Sequence, residues 1–150
     1  MIKKPSRIDH ICLAVKDLSK ARKIYEDVLG LELDCEYIAE SESIKVARYY
    51  IGEVALELME STSPDGEVAK FIRKNGEGVF LISYAVDDVA DKMNELKDKG
   101  YNLIDKKPRE LCNNRYAFIN PPQQMCGVLT EIVDGDFTLD DSVKVLKGEG

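Results

Sequence analysis

Asp9-His10-Ile11-Cys12-Leu13-Ala14-Val15-Lys16-Asp17-Leu18 lies in register over Phe80-Leu81-Ile82-Ser83-Tyr84-Ala85-Val86-Asp87-Asp88-Val89. Each stretch is an apolar run that reads as a buried strand and ends in an aspartate suited to starting a helix. A second pair follows at a similar distance: Leu56-Glu57-Leu58-Met59 lies over Thr130-Glu131-Ile132-Val133. Positions 10 and 57 are 47 apart, and positions 81 and 131 are 50 apart. Similar offsets between similar segments indicate a duplicated unit.

The segments between complete the unit. After Asp17, apolar residues recur at Leu18, Ala21, Ile24, Tyr25 and Val28, a helical spacing that Gly30 terminates. Leu31 to Tyr37, Ile44 to Tyr50 and Val54 to Glu60 read as three strands, the alternation of the second weakened by Arg48. Ser61 to Gly66 is loop, and Val68 to Lys74 a short helix. The second copy offers a strand from Val79 to Val86, then a helix from Asp87-Asp88. Strands are expected at Tyr101 to Ile104, Arg115 to Ile119 and Val128 to Val133. The expected architecture is α+β, two βαβββ modules (about 6–60 and 79–133) joined by a linker (61–78), in one domain spanning 1–150. Neither half can cover both faces of its own sheet, so the two should pack around one open cleft. Residues 134–150 read as an acidic tail with one weak amphipathic turn around Val143 to Leu146.

Composition narrows the function. With 44% hydrophobic and 33% charged residues the chain is of globular type, and no apolar run reaches the length of a membrane span. Met1-Ile2-Lys3-Lys4-Pro5 has no long apolar stretch behind it, so no signal peptide is expected and a cytoplasmic location is. The net charge of −7 argues against a nucleic-acid partner, which needs a basic surface, but leaves room for an anionic small molecule in a locally positive pocket. Cys12, Cys35, Cys112 and Cys126 form no C-x-x-C pair; free buried thiols are expected rather than zinc or disulfide use.

The repeat also makes a statement about space. Equivalent positions on the first and last strands of the two modules should converge at a pseudo-twofold axis, and they hold His10, Glu57, Leu81 and Glu131. A carboxylate in an apolar strand is costly unless paired or metal-bound. His10 is the only histidine. One imidazole and two carboxylates can hold a divalent cation with positions left open. The alternative is that these groups face solvent or bond to backbone.

On these stretches, together with Tyr25-Glu26-Asp27-Val28-Leu29-Gly30-Leu31, Val68-Ala69-Lys70-Phe71, Gly76-Glu77-Gly78, Pro108-Arg109 and Gly127-Val128-Leu129, the chain resembles methylmalonyl-CoA epimerases. These lie within the vicinal-oxygen-chelate superfamily, which also holds glyoxalase I and the bleomycin-resistance proteins. The resemblance runs from about Ser6 to Val133. It implies the glyoxalase-like fold and a metal held by His10, Glu57 and Glu131, with Leu81 at the position of the family's second histidine. It also implies an acyl-CoA or related small acid as substrate, and a homodimer. The metal would be Mn²⁺, Co²⁺, Mg²⁺ or Zn²⁺, held weakly or not at all given Leu81. Proton transfer at the α carbon would fall to Glu131 first and Glu57 second. The family's glycine-rich loop after Pro-Arg is here Glu110-Leu111-Cys112-Asn113-Asn114, and its later His-Pro-Lys-Ser-type turn is Asn120-Pro121-Pro122-Gln123-Gln124. Arg109 and Arg115 are the remaining candidate anion contacts, and Phe80 and Leu81 would make the cleft wall apolar. A metal-independent binding protein of the bleomycin-resistance type is the alternative, with glyoxalase-type lyase chemistry a variant of the first reading.

Overall fold

The computed structural model describes residues 3–148; Met1 and Ile2 of the N-terminal stretch, and Glu149 and Gly150 of the expected tail, lie outside the described residues. The first module runs β1 (Arg7–Ala14), α1 (Leu18–Leu29), β2 (Leu33–Ala39), β3 (Ile44–Ile51) and β4 (Val54–Ser61). A linker helix α2 (Glu67–Asn75) leads to β5 (Gly78–Ala85), α3 (Val89–Asp98), β6 (Arg109–Leu111), β7 (Asn114–Ile119) and β8 (Leu129–Gly135). A ninth strand, β9 (Lys144–Gly148), follows.

The helix starts repeat in chemical detail. Asp17 accepts from Lys20 N and Asp88 from Asp91 N, each satisfying an orphan donor of the first turn. A second carboxylate then arrives from the last strand of each module. Glu60 Oε1 accepts from Leu18 N, and Asp134 Oδ2 accepts from Val89 N, both at 2.7 Å. Gly30, at φ 67°, closes α1 in the left-handed conformation that glycine adopts without strain.

Among the described residues all nine strands form one sheet in the order β6-β7-β8-β5-β1-β4-β3-β2-β9. In each module the first strand runs parallel to the last, β1 with β4 and β5 with β8, while β1 and β5 meet antiparallel at the centre. Ile11 pairs with Ile82, and on either side His10 faces Ser83 and Cys12 faces Leu81. The register thus carries a twofold relation that makes His10 and Leu81 equivalent. Glu57 sits beside Cys12 and Glu131 beside Ser83, again as equivalents.

One face of the sheet packs under the helices. Leu18 and Ala21 of α1 meet Ala47, Tyr49 and Leu58, and Val89 and Met93 of α3 meet Ala117 and Ile132. The other face curls inward. Across it Glu42, beyond β2, takes hydrogen bonds from Tyr116 Oη at 2.5 Å and Arg109 Nη1 at 3.1 Å. Cys12, Ala14, Tyr37, Val46, Met59 and Leu81 line this inner face.

Two expectations are corrected. Tyr101 to Ile104 is not a strand; only Leu103 bridges, to Ile119, and the edge strand is the three-residue β6. Tyr101 and Ile104 are exposed, and the charged run through Lys107 to Pro108 breaks the alternation that a longer strand needs. Residues 134–148 do not form a tail with a weak helical turn. Phe137, Leu139 and Val143 pack against the inner face, Thr138 N donates to Cys112 O at 2.9 Å, and β9 pairs with β2. The Lys-Val-Leu-Lys segment is stabilised by the strand edge it meets rather than by helical periodicity.

Candidate metal centre and active site

His10 stands on the inner face where β1 is irregular, the register shifting between Ile8 and His10. That irregularity lets the adjacent carboxylate reach the ring: Asp9 Oδ2 lies 2.7 Å from His10 Nδ1, and Arg7 Nη2 donates to Asp9 Oδ1 at 2.7 Å. With Nδ1 committed to Asp9, the ring turns Nε2 toward the sheet interior, the second-sphere arrangement common to metal-bound histidines. Nε2 faces Glu131 Oε2 at 3.0 Å and Glu57 Oε1 at 3.8 Å. Burial opposes charge on this imidazole, but Glu57 and Glu131 outweigh it and hold its pKa well above the ordinary histidine value.

Glu57, 3% exposed, is gripped from three sides. Arg48 Nη1 donates to Oε2 at 2.6 Å, Tyr37 Oη donates to the same oxygen at 3.3 Å, and Cys12 Sγ donates to Oε1 at 3.3 Å. Burial pushes the carboxyl pKa up, yet His10 and Arg48 together bring it below the usual range. Arg48 is itself buried at 3% exposure, its guanidinium carbon 3.9 Å from the centroid of Phe137 and 5.1 Å from that of Tyr50. The segment after β8 therefore closes over the charged cluster with an aromatic face on its cation.

Glu131 differs. Its Oε2 is buried and accepts no hydrogen bond, with His10 Nε2 3.0 Å away as a charged neighbour; Ser83 Oγ beside it is also buried and unpartnered. A buried carboxylate oxygen without a donor is a costly arrangement. A divalent cation held by His10, Glu57 and Glu131 would satisfy it, so the residues present fit such an ion. Among the described residues, the group of three whose donor atoms all lie within 4.8 Å of one another is His10, Cys12 and Glu57; Glu131 approaches it at His10 Nε2.

Of the residues singled out in the sequence, His10, Glu57 and Glu131 come together on the inner face. Leu81 comes beside them, opposite Cys12 across the central strand pair. Phe80 packs edge-on against Phe71 of α2 at 5.3 Å. Arg109 reaches the rim, over Phe118 at 5.1 Å, but is paired with Asp105 and Glu42. Arg115 is not brought to the cluster: it pairs with Asp134 and Asp88 at the start of α3, on the helix side. Sequence reasoning missed Arg48, Tyr37, Cys12 and Phe137 as parts of the site. The signal for Arg48 was present, as the one charge interrupting the core of β3. Two surface depressions, beside α2 and around Gly30–Leu33, lie away from the cluster.

Comparison with known proteins agrees with this fold. The family model described as Glyoxalase/Bleomycin resistance protein/Dioxygenase superfamily matches residues 9–118. The uncharacterized protein YqjC of Bacillus subtilis is 33% identical over 129 residues, 86% of this chain and 92% of that protein. The mitochondrial methylmalonyl-CoA epimerase of Bos taurus is 27% identical over 127 residues, 84% of this chain and 73% of that protein. Among solved structures, a methylmalonyl-CoA epimerase in complex with methylmalonyl-CoA and NH4+ superposes with a TM-score of 0.82 at 32% identity, covering 89% of this chain and 96% of that one. A Streptomyces coelicolor methylmalonyl-CoA epimerase variant in complex with 2-nitronate-propionyl-CoA gives 0.82 at 33%, covering 87% and 98%. Matched from its first strand into its seventh, this chain belongs to the Glyoxalase/Bleomycin resistance protein/Dioxygenase superfamily.

Proposed function

We propose that this chain is an epimerase-like isomerase that moves a proton at the carbon α to an acyl-CoA thioester, with methylmalonyl-CoA the first substrate to test. The observation that carries the reading is the approach of Glu57 Oε1 and of Glu131 Oε2, which accepts no hydrogen bond, to His10 Nε2 on the buried inner face of the curled sheet. The likeness to epimerases that bind methylmalonyl-CoA supports it.

His10, Glu57 and Glu131 would hold a divalent ion. When bound, that ion supplies Lewis-acid stabilisation of the enolate oxygen, worth several kcal/mol. The protein's own residues do the rest. Asp9 fixes the ring of His10. Arg48 and Tyr37 fix Glu57, which makes it a poor proton carrier, since one of its oxygens is already committed. Glu131, whose side chain no hydrogen bond from a neighbouring residue holds, is the group we assign to take and return the α proton. The apolar inner face excludes water from the enolate. Arg109, at the rim, is the better placed of the two arginines for an anionic end of the substrate, and it would have to leave Asp105 or Glu42 to bind it.

We further propose a homodimer, on the family likeness, and a cytoplasmic location. Three of the four free cysteines are buried, and no described helix is long and apolar enough to cross a membrane. The second reading, a metal-independent binder, draws on two features: Arg48 already neutralises Glu57, and Leu81 removes one donor. Deuterium incorporation at the α carbon of methylmalonyl-CoA in D2O, followed by NMR with Mn²⁺ or Co²⁺ present, separates the two. Wild-type protein should exchange the proton and Glu131→Gln should lose at least a hundredfold of the rate. No exchange with any acyl-CoA, and no metal retained after incubation with excess Mn²⁺, Co²⁺ or Zn²⁺, would leave the binder.

A further inference from the structure

The geometry points to Cys12 as a fourth protein ligand of the cation site, replacing by sulfur from β1 the donor that Leu81 cannot supply from β5. This rests on the metal site proposed above and concerns which atoms build it.

Three observations place the thiol there. Cys12 lies two positions after His10 on the same strand, so both side chains point to the inner face. It is the cross-strand partner of Leu81 and the parallel-strand partner of Glu57, which puts its sulfur between the ligand that is present and the one that is missing. Its Sγ is 3.3 Å from Glu57 Oε1, and the donor atoms of His10, Cys12 and Glu57 all fall within 4.8 Å of one another. An independent sign that the cluster is built for a cation is Glu131 Oε2, which is buried, unpartnered and turned to the same His10 nitrogen.

The inference changes the expected chemistry. Imidazole with two carboxylates is a hard donor set, suited to Mn²⁺ or Mg²⁺; adding a thiolate shifts preference toward Zn²⁺ and Co²⁺. Binding releases the thiol proton to solvent as the sulfur–metal bond forms, so uptake becomes more favourable as pH rises. The thiol's contact with Glu57 is then exchanged for a shared ion, and Glu57 Oε2 stays with Arg48.

Co²⁺ is the probe, because sulfur ligation gives an intense sulfur-to-cobalt charge-transfer band in the near ultraviolet that oxygen and nitrogen donors lack. Wild-type protein titrated with Co²⁺ should show this band at one equivalent. Cys12→Ser should bind Co²⁺ without the band and with affinity lower by about tenfold or more, while Cys126→Ser, at the exposed cysteine, should leave the band intact. X-ray absorption of the Zn²⁺-loaded wild type gives the same answer without a variant, by one sulfur among nitrogen and oxygen neighbours. Cobalt bound at one equivalent with no band and no sulfur neighbour would overturn Cys12 as a ligand and leave the His10–Glu57–Glu131 site standing. No cobalt bound at all would overturn both.

Discussion

Arg48 and Glu57 illustrate how much a single buried pair decides here. Both are 3% exposed, and the guanidinium has a carboxylate at one end and two aromatic rings on its faces. Removing one member leaves the other charge buried without its partner. Arg48→Met should therefore lower unfolding free energy by about 3 kcal/mol in denaturant titration. Arg48→Lys should recover little of it, because an ammonium cannot reproduce the planar stack on Phe137. Leu81 is the opposite case, an apolar residue at a position whose twofold mate is His10. Leu81→His should make Co²⁺ harder to strip with a chelator, by about tenfold or more, because it adds an imidazole opposite Cys12 at the equivalent of an existing ligand position. Unchanged metal retention together with a large loss of stability would mean that the ring is buried without a cation to meet it.

At the scale of elements, α1 is tied to the sheet by a polar clasp under its exposed face. Glu26 Oε2 accepts from Tyr49 Oη at 2.6 Å and from Arg22 Nε at 2.9 Å. The Tyr49 hydrogen bond, then Arg22, hold its carboxyl below the ordinary range. A carboxyl depressed in the folded state adds stability that is fully present above its unfolded pKa and is lost as pH falls through the folded one. Glu26→Gln should accordingly destabilise the protein by about 1 kcal/mol at pH 7, and the gap to wild type should close as the pH is taken below the ordinary carboxylate range. A gap that stays constant with pH would assign the effect to packing. Elements like α1 were legible in the sequence because three signals coincide there: aspartate at the start, period 3.6 within, glycine at the end. His10, Glu57 and Glu131 were legible because the repeat aligns them. Cys12 and Tyr37 were not, and Arg48 showed only as a charge within β3, because cross-strand neighbours depend on register, and register is set by the bulges in β1 and the pairing of β3 with β4. β9 was missed for a related reason: five residues in which Lys144 and Lys147 flank Val145 and Leu146 acquire a conformation only from the strand beside them.

Over the whole molecule, residues 136–143 cross from the end of β8 to the far edge of the sheet and roof the charged cluster on the way. Phe137 touches both Tyr37 and Arg48. Phe137→Ala should cost about 1–2 kcal/mol, since the ring is only part-buried, and amide exchange should rise in β9 more than in β1 or β5. Equal exchange in all three would show that the roof and the core open as one unit.

β9 has a consequence for how the chain is made. It pairs with β2, which is synthesised about a hundred residues earlier, so at roughly 5–20 residues per second β2 waits several seconds or more on the ribosome with its outer edge bare. An unpaired strand edge is a template for other chains. Glu36 is already paired with Arg22 and Lys45 of its own module, which leaves Asp34 to set a charge against pairing with copies of that interim edge until its own last strand arrives.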